Sequence, residues 1–408
     1  MNPASRDTLR LPGLSWRYLW SRPLATLLNL ALLAVSAASI TLVLLVREQV
    51  DRAFERDLAG IDVVVGAKGS PLQLILAGVF HIDVPPGNIP WAEVQALREH
   101  PQVAQLIPLS LGDNFRGFRI VGTSHDYVAH YRAALASGAL WSAPMQAVAG
   151  AQVARDAALA VGMRFIGSHG LGSGGSSHDQ APYTLTGVLA PCRCVLDRLI
   201  LTSTDSVWQL HETMNAADEA DRRALQAERE VTLLLIRYRS PLAAVTFPRY
   251  INAGTAMQAA APAVEVTRLL RLLGVGTEVL RGFGGVLLLA AGLSMFIALW
   301  SAVRERLADL ALLRMLGAPA VRVAGLVVFE ALWLALLGTA AGMLAGHALA
   351  ELVGQLLQAQ RSLPVTGAYL AAGEWWVPLF TVGAAAAAAL LPALTAYRVN
   401  ALRLLARA

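Results

Sequence analysis

Residues 305–330 read ERLADLALLRMLGAPAVRVAGLVVFE. The stretch opens as a charged helix, turns at a Gly-Ala-Pro corner, and enters an apolar run carrying one carboxylate, Glu330. Gly317 suits the left-handed conformation that ends a helix, and Pro319 suits the start of the next, so the corner has a physical cause. Before it, Leu307, Ala311 and Met315 share a helical stripe while Glu305 and Asp309 lie off it. Arg314 interrupts that stripe, which leaves the helix only modestly amphipathic. Such a short charged helix between two apolar segments is expected to lie along a membrane face.

The rest of the chain fits a membrane setting. Of 408 residues, 56% are hydrophobic and 15% charged, well outside the range of soluble domains. Uncharged windows at 23–46, 282–303 and 375–397 each exceed the ~20 residues that carry a helix across a ~30 Å hydrocarbon core. A fourth window, 323–350, is long enough but contains Glu330 and His347. Arginines set the expected orientation, because short cytoplasmic segments retain positive charge. Arg6, Arg10, Arg17 and Arg22 precede the first span, Arg304, Arg306, Arg314 and Arg322 surround the elbow, and Arg398, Arg403 and Arg407 close the chain. The connection 351–374 shows no such excess, so four spans with both termini cytoplasmic are expected. The net charge of +5 is then a topology signal, not a nucleic-acid footprint. The first window is too long for a secretory h-region, and the reading is an uncut anchor.

Roughly 230 residues, 47–281, separate the first two windows, too many for a loop. Segments 61–66, 117–124, 183–190, 197–203 and 231–238 have the β-branched, turn-bounded character of strands, and helical periods occur at 91–99, 146–158 and 216–229. The body is therefore expected to be α+β and extracytoplasmic. At its edges, Glu48/Arg52 and Arg47/Asp51 are spaced to pair on a helix, and Glu265, Arg268, Arg271, Glu278 and Arg281 recur with helical spacing. These edges read as helices continuing out of the membrane to form a stiff stalk. The Gly/Ser-rich stretch 167–180 reads as a loop.

The elbow pattern, ERLADLALLRMLGA followed by VRVAGLVVFE, resembles the signature of the FtsX/MacB/LolC-type ABC transporter permeases, the mechanotransmission (type VII) family. LSWRYLWSRPLATLLNLALL at 14–33 is similar to the family's first-span entry, and AQVARDAALAVGMRFIG with YTLTGVLA resembles its insert. The resemblance implies an α-helical membrane protein with four transmembrane helices and a large α+β periplasmic domain between helices 1 and 2. It divides the chain into 1–46, 47–281 and 282–408. It further implies that 304–318 is a coupling helix docking on a separate ATP-binding subunit, through Arg304, Arg306, Leu307, Leu310, Arg314, Met315, Gly317 and Ala318. Asp309, Leu310 and Met315 depart mildly from the usual motif. ATP and Mg would sit on that partner, none on this chain. A second copy or a similar permease, a periplasmic substrate or adaptor and the lipid bilayer complete the expected partners, with no nucleic acid. The implied location is the bacterial inner membrane.

The residues agree that a motor must come from elsewhere. No G-x-x-x-x-G-K-[ST] occurs, and the sole lysine, Lys68, has the wrong spacing. Neither G-x-S-x-G nor H-E-x-x-H is present, which argues against an enzyme. Glu330, a carboxylate inside a span, is expected to be protonated or to pair with Arg322. His347 is expected at the outer interface. Cys192 and Cys194, with His169, His178 and His211, supply ligand types suited to zinc, but C-x-C is a poor zinc spacing and two unligated small cysteines is the plainer reading. Closing a disulfide across one residue is sterically unfavourable, so none is expected. In 78–90, His81 and Asp83 precede a rigid Pro-Pro-Gly turn, read as a turn or partner-docking loop. Two other readings stay open: a signalling permease that activates a periplasmic partner without transport, and a zinc-linked transporter, since AKGSPLQL and FHIDVPPGN resemble relatives associated with zinc homeostasis.

Overall fold

A computed structural model describes residues 11–170, 181–215, 218–359 and 365–398. The chain forms two compact units, 1–50 with 273–408, and 51–272. Among the described residues, four helices are long and apolar enough to cross a membrane. They are the first span helix Pro23–Leu58, the second Pro262–Glu305, the third Ala320–Ala359 and the fourth Trp376–Tyr397. Each of the first three runs past its apolar window, the first two as the charged sequences at the edges of the insert predict and the third without such an expectation. A short helix, Leu11–Leu19, precedes the first span, and the elbow helix Leu307–Met315 joins the second to the third.

Small residues let the spans approach closely. Gly338, Gly342 and Gly346 recur every fourth residue on the third span, and a Cβ on each would meet Leu33, Ala37 and Thr41 of the first span at 2.7, 2.5 and 2.8 Å. Without a hydrophobic force between helices in lipid, such backbone proximity and its dispersion contacts supply the association. Polar pairs add to it: Ser36 donates to the carbonyl of Gly284 (3.2 Å), and the hydroxyls of Thr339 and Thr381 share a hydrogen bond (2.6 Å) between the third and fourth spans. Leu33, Met295, Leu299, Val327, Ala385 and Ala389 are buried among these helices.

Among the described residues, the second unit is built on an eleven-stranded mixed sheet. Its main path runs Met257–Ala260, Val63–Ala67, Leu233–Tyr238, Val103–Phe115, Phe118–Thr123, Ile200–Ser203, Gln146–Ala149, Tyr183–Leu189 and Leu135–Gly138. Central Phe118–Thr123 is buried at every position, as a strand covered on both faces must be, whereas Tyr183–Leu189 alternates buried and half-buried. All five sequence-predicted strands form. The helix expected over 146–158 divides instead into the strand Gln146–Ala149 and the short helix Ala151–Asp156, because Gly150 between them is extended (φ −63°, ψ 157°). The longest strand, Val103–Phe115, was masked in the sequence by Pro108, which lies in the ladder opposite Leu234.

Candidate functional site

The elbow is defined at both ends by backbone chemistry. The second span helix stops at Glu305, and Arg306 (φ −98°, ψ 13°) breaks the helix before Leu307 restarts it. At the far end Gly317 adopts φ +94°. The Ala318 N–H donates to the carbonyl of Leu313 (3.0 Å) and the Gly317 N–H to that of Arg314 (3.2 Å), the paired bonds of a Schellman cap. The corner read from the Gly-Ala-Pro sequence is therefore present.

The elbow's two faces differ sharply. Leu310 and Ala311 are buried, Leu310 against the apolar core that includes Val323 and Val327. Leu312, Met315 and Leu316 point outward at 52, 50 and 85% exposure, a contiguous set of large apolar side chains. Arg304, Asp309 and Gly317 share the open side, while Leu307, Arg314 and Ala318 are half-buried. Arg304 packs over the Trp300 ring at 5.6 Å, and Arg314 Nη1 donates to the Ala318 carbonyl (3.2 Å). Of the residues named from sequence, Arg304, Met315 and Gly317 thus lie on the open face and Leu310 and Arg306 on the closed one. Leu312 and Leu316 complete the open face; their exposure was not legible because leucine spacing alone does not say which side of a short helix is covered.

Arg306 faces inward, its side chain 14% exposed. Its Nη1 donates to Glu330 Oε1 on the third span (3.0 Å). Nη2 donates to the Tyr18 carbonyl (3.0 Å) and to Ser21 Oγ (2.6 Å), and the guanidinium carbon lies 4.6 Å from the Tyr18 ring centre. Tyr18, Val303, Arg306, Leu310, Val327 and Glu330 line the small cleft between these elements. The expected Arg322–Glu330 pair is corrected: Arg322 is exposed, and Glu330 pairs with Arg306, whose place at the helix break puts its guanidinium level with Glu330. Arg22 and Glu305 form a second ion pair beside it. The short N-terminal helix is held on the third span by Trp333 Nε1 donating to the Pro12 carbonyl (3.3 Å) and by Trp16 packing edge-on to Trp333 (5.2 Å).

At the other end of the third span, His347 is tied down more firmly than an interfacial residue need be. Its ring contacts the Gly367 carbonyl (2.6 Å) and Glu374 Oε2 (3.3 Å). Glu351 accepts from the Gly367 N–H (2.7 Å), and Gln49 brackets Thr366 with two bonds, so the connection to the fourth span is pinned to its neighbours.

The metal reading fares differently. Cys192 and Cys194 are joined by a disulfide with Cα atoms 5.1 Å apart, contrary to the expectation of none; Arg193 makes room for the ring by adopting φ +56°. In that state neither sulfur is a thiolate. His169 contacts Asp113 (2.9 Å) across paired strands. His178 and the side chain of His211 lie outside the described residues. No group of three His, Cys, Asp or Glu suited to a metal occurs among the described residues. Ser124 donates to Asp126 (3.2 Å) while His125 contacts the Trp141 carbonyl (2.9 Å).

Loop 79–88 carries a buried polar feature that sequence reasoning left as a turn. His81 is 7% exposed at φ +55°, its Nε2 2.9 Å from the Tyr127 hydroxyl. Burial, then the positive charges of Arg119 and Arg198, hold this imidazole well below its ordinary pKa. Arg119 donates to the Asp83 carbonyl and is itself lowered to about 10 by burial. The loop so anchored leaves Ile82 and Val84 exposed.

Comparison with known proteins adds a family resemblance over the C-terminal part of the chain. Residues 281–401 match the FtsX-like permease C-terminal family. Among solved structures, the periplasmic region of MacB from Actinobacillus actinomycetemcomitans aligns at 8% identity and TM-score 0.35, covering 52% of this chain and 95% of that one. The extracellular domain of the noncanonic ABC-type transporter YknZ from Gram-positive bacteria aligns at 12% identity and TM-score 0.31, covering 48% and 98%. Curated proteins gave no match. The matched segment takes in the second, third and fourth span windows with the elbow between them, and over that segment the chain is similar to the FtsX-like permeases.

Proposed function

We propose that this chain is the membrane subunit of an ABC assembly in which a separate ATP-binding protein docks on the elbow and drives conformational work in the 51–272 unit. The observation that carries the reading is the elbow itself: inside the matched family segment, a capped helix between two spans turns Leu312, Met315 and Leu316 outward. Arg304 and Asp309 flank that apolar face and supply polar contacts at its rim. The arginine-rich segments put the elbow and both termini in the cytosol and the 51–272 unit on the far side. The chain contains no phosphate-binding loop, so hydrolysis belongs to the partner. The cargo is an envelope lipoprotein, peptide or comparable ligand of the outer unit, and the assembly needs two permease chains, since four spans enclose no route alone.

A photo-crosslinking residue at Leu316, in the full chain in its native membrane, tests this. Capture of an ATP-binding protein, lost when the crosslinker moves to Leu390 on a span, is the expected result. Adducts with lipid alone would overturn the docking role.

A further inference from the structure

We infer that Arg306 is a positioning residue, the tie through which displacement of the elbow reaches the N-terminal helix and the third span together. The inference rests on the proposed function for what moves the elbow, but the tie itself is a property of this chain.

The argument starts from where Arg306 sits. It occupies the single non-helical position between the second span helix and the elbow helix, so its backbone shifts whenever the angle between those helices changes. Its side chain then reaches two further elements by four contacts, to Glu330, the Tyr18 carbonyl, Ser21 Oγ and the Tyr18 ring. A guanidinium is rigid and planar and carries five donors, so partners on different elements are held at fixed mutual angles, which a flexible ammonium would not do. Glu330 is 7% exposed, and a lone carboxylate there is costly in an apolar span; the pair is therefore held together, not free to exchange with water. Around this tie, Arg22–Glu305 and Trp333–Pro12 join the same three elements by separate contacts. A residue turned inward in this way has little surface left for an ATPase, although its place in the elbow sequence suggests docking.

The full chain is reconstituted in nanodiscs, and amide hydrogen exchange is read over residues 11–22 for wild type, Arg306→Gln, Glu330→Gln and Arg306→Lys. In the chain alone, Arg306→Gln and Glu330→Gln should each speed exchange at 11–22 by about tenfold, leave 376–397 unchanged, and be partly rescued in Arg306→Lys. Unchanged exchange at 11–22 in both Gln variants would overturn the tie. A second arm adds the ATP-binding protein captured at Leu316. Both Gln variants should bind it within about threefold of wild type yet lose the nucleotide-dependent change at 11–22 seen in wild type. Binding weakened tenfold or more by Arg306→Gln but not by Glu330→Gln would make Arg306 a docking residue and overturn the inference. Failure of wild type to bind any such protein, with the first arm intact, would count against the proposed function and leave the tie standing.

Discussion

Glu330 lies on an apolar span, and its one ion-pair partner among the described residues sits twenty-four positions earlier, across the corner of the elbow. Sequence spacing favoured Arg322, two helical turns away on the same helix; only the break at Arg306 brings the true partner into reach. Replacing Glu330 by Ala strands the guanidinium in the cleft, and a loss of about 3–5 kcal/mol is expected, read as thermal unfolding in detergent. Removing both groups, as Arg306→Met with Glu330→Met, should cost less than either alone. Gly317, by contrast, was legible: a glycine two residues before a proline after a helical run has few other uses, and φ +94° bears it out. Gly317→Ala should destabilise the elbow by about 1 kcal/mol, visible as faster amide exchange at 307–316. His81 gives a pH prediction. Its folded pKa lies below the unfolded value of about 6.5, so below that pH the unfolded chain takes up a proton that the folded one refuses. The contribution of His81 to the stability of the 51–272 unit should therefore fall as pH drops below about 6.5. His81→Asn, which tolerates the left-handed backbone, should flatten that slope in exchange measurements on Phe118–Thr123, with a residue of it kept by His130, also lowered by burial. An unchanged slope would remove His81 from the cause.

Among the elements, the apolar spans were the most legible, because length and lack of charge suffice to identify them. How they pack was not, since the glycines of the third span fall in a run rich in alanine and leucine, and only the structure shows which of them face the first span. Gly342→Leu places a side chain where even a Cβ meets Ala37 and the Ala34 carbonyl at 2.5 and 2.6 Å. Backbone cannot yield there as a flexible side chain would, so separation of the first and third spans is expected, seen as faster amide exchange over residues 33–41. Gly285→Leu on the second span, where a Cβ meets nothing within 4 Å, is the matched control and should leave that exchange unchanged. In the second unit, strand recognition succeeded where alternation or β-branched runs were clean. It missed Val103–Phe115, where Pro108 breaks the expected donor pattern; the Pro108 carbonyl still accepts from Thr123 Oγ1 (2.8 Å), so that half of the residue's bonding capacity is used. The disulfide was missed for a local reason as well: ring closure across one residue needs a left-handed intervening backbone, which arginine seldom adopts and Arg193 does.

For the molecule as a whole, the order of span, inserted body and three further spans is read from hydropathy and chain length; the two compact units meet at 50/51 and 272/273. The work proposed for it requires that the elbow and the inserted unit face opposite compartments. Single cysteines at Leu316 on the elbow and Val84 in the inserted unit, both exposed, report this directly, because the native cysteines are held in a disulfide. With a membrane-impermeant maleimide applied to cells whose outer envelope is opened, Val84→Cys should label at once and Leu316→Cys only after the inner membrane is permeabilised. Labelling of both from the same side would contradict the account.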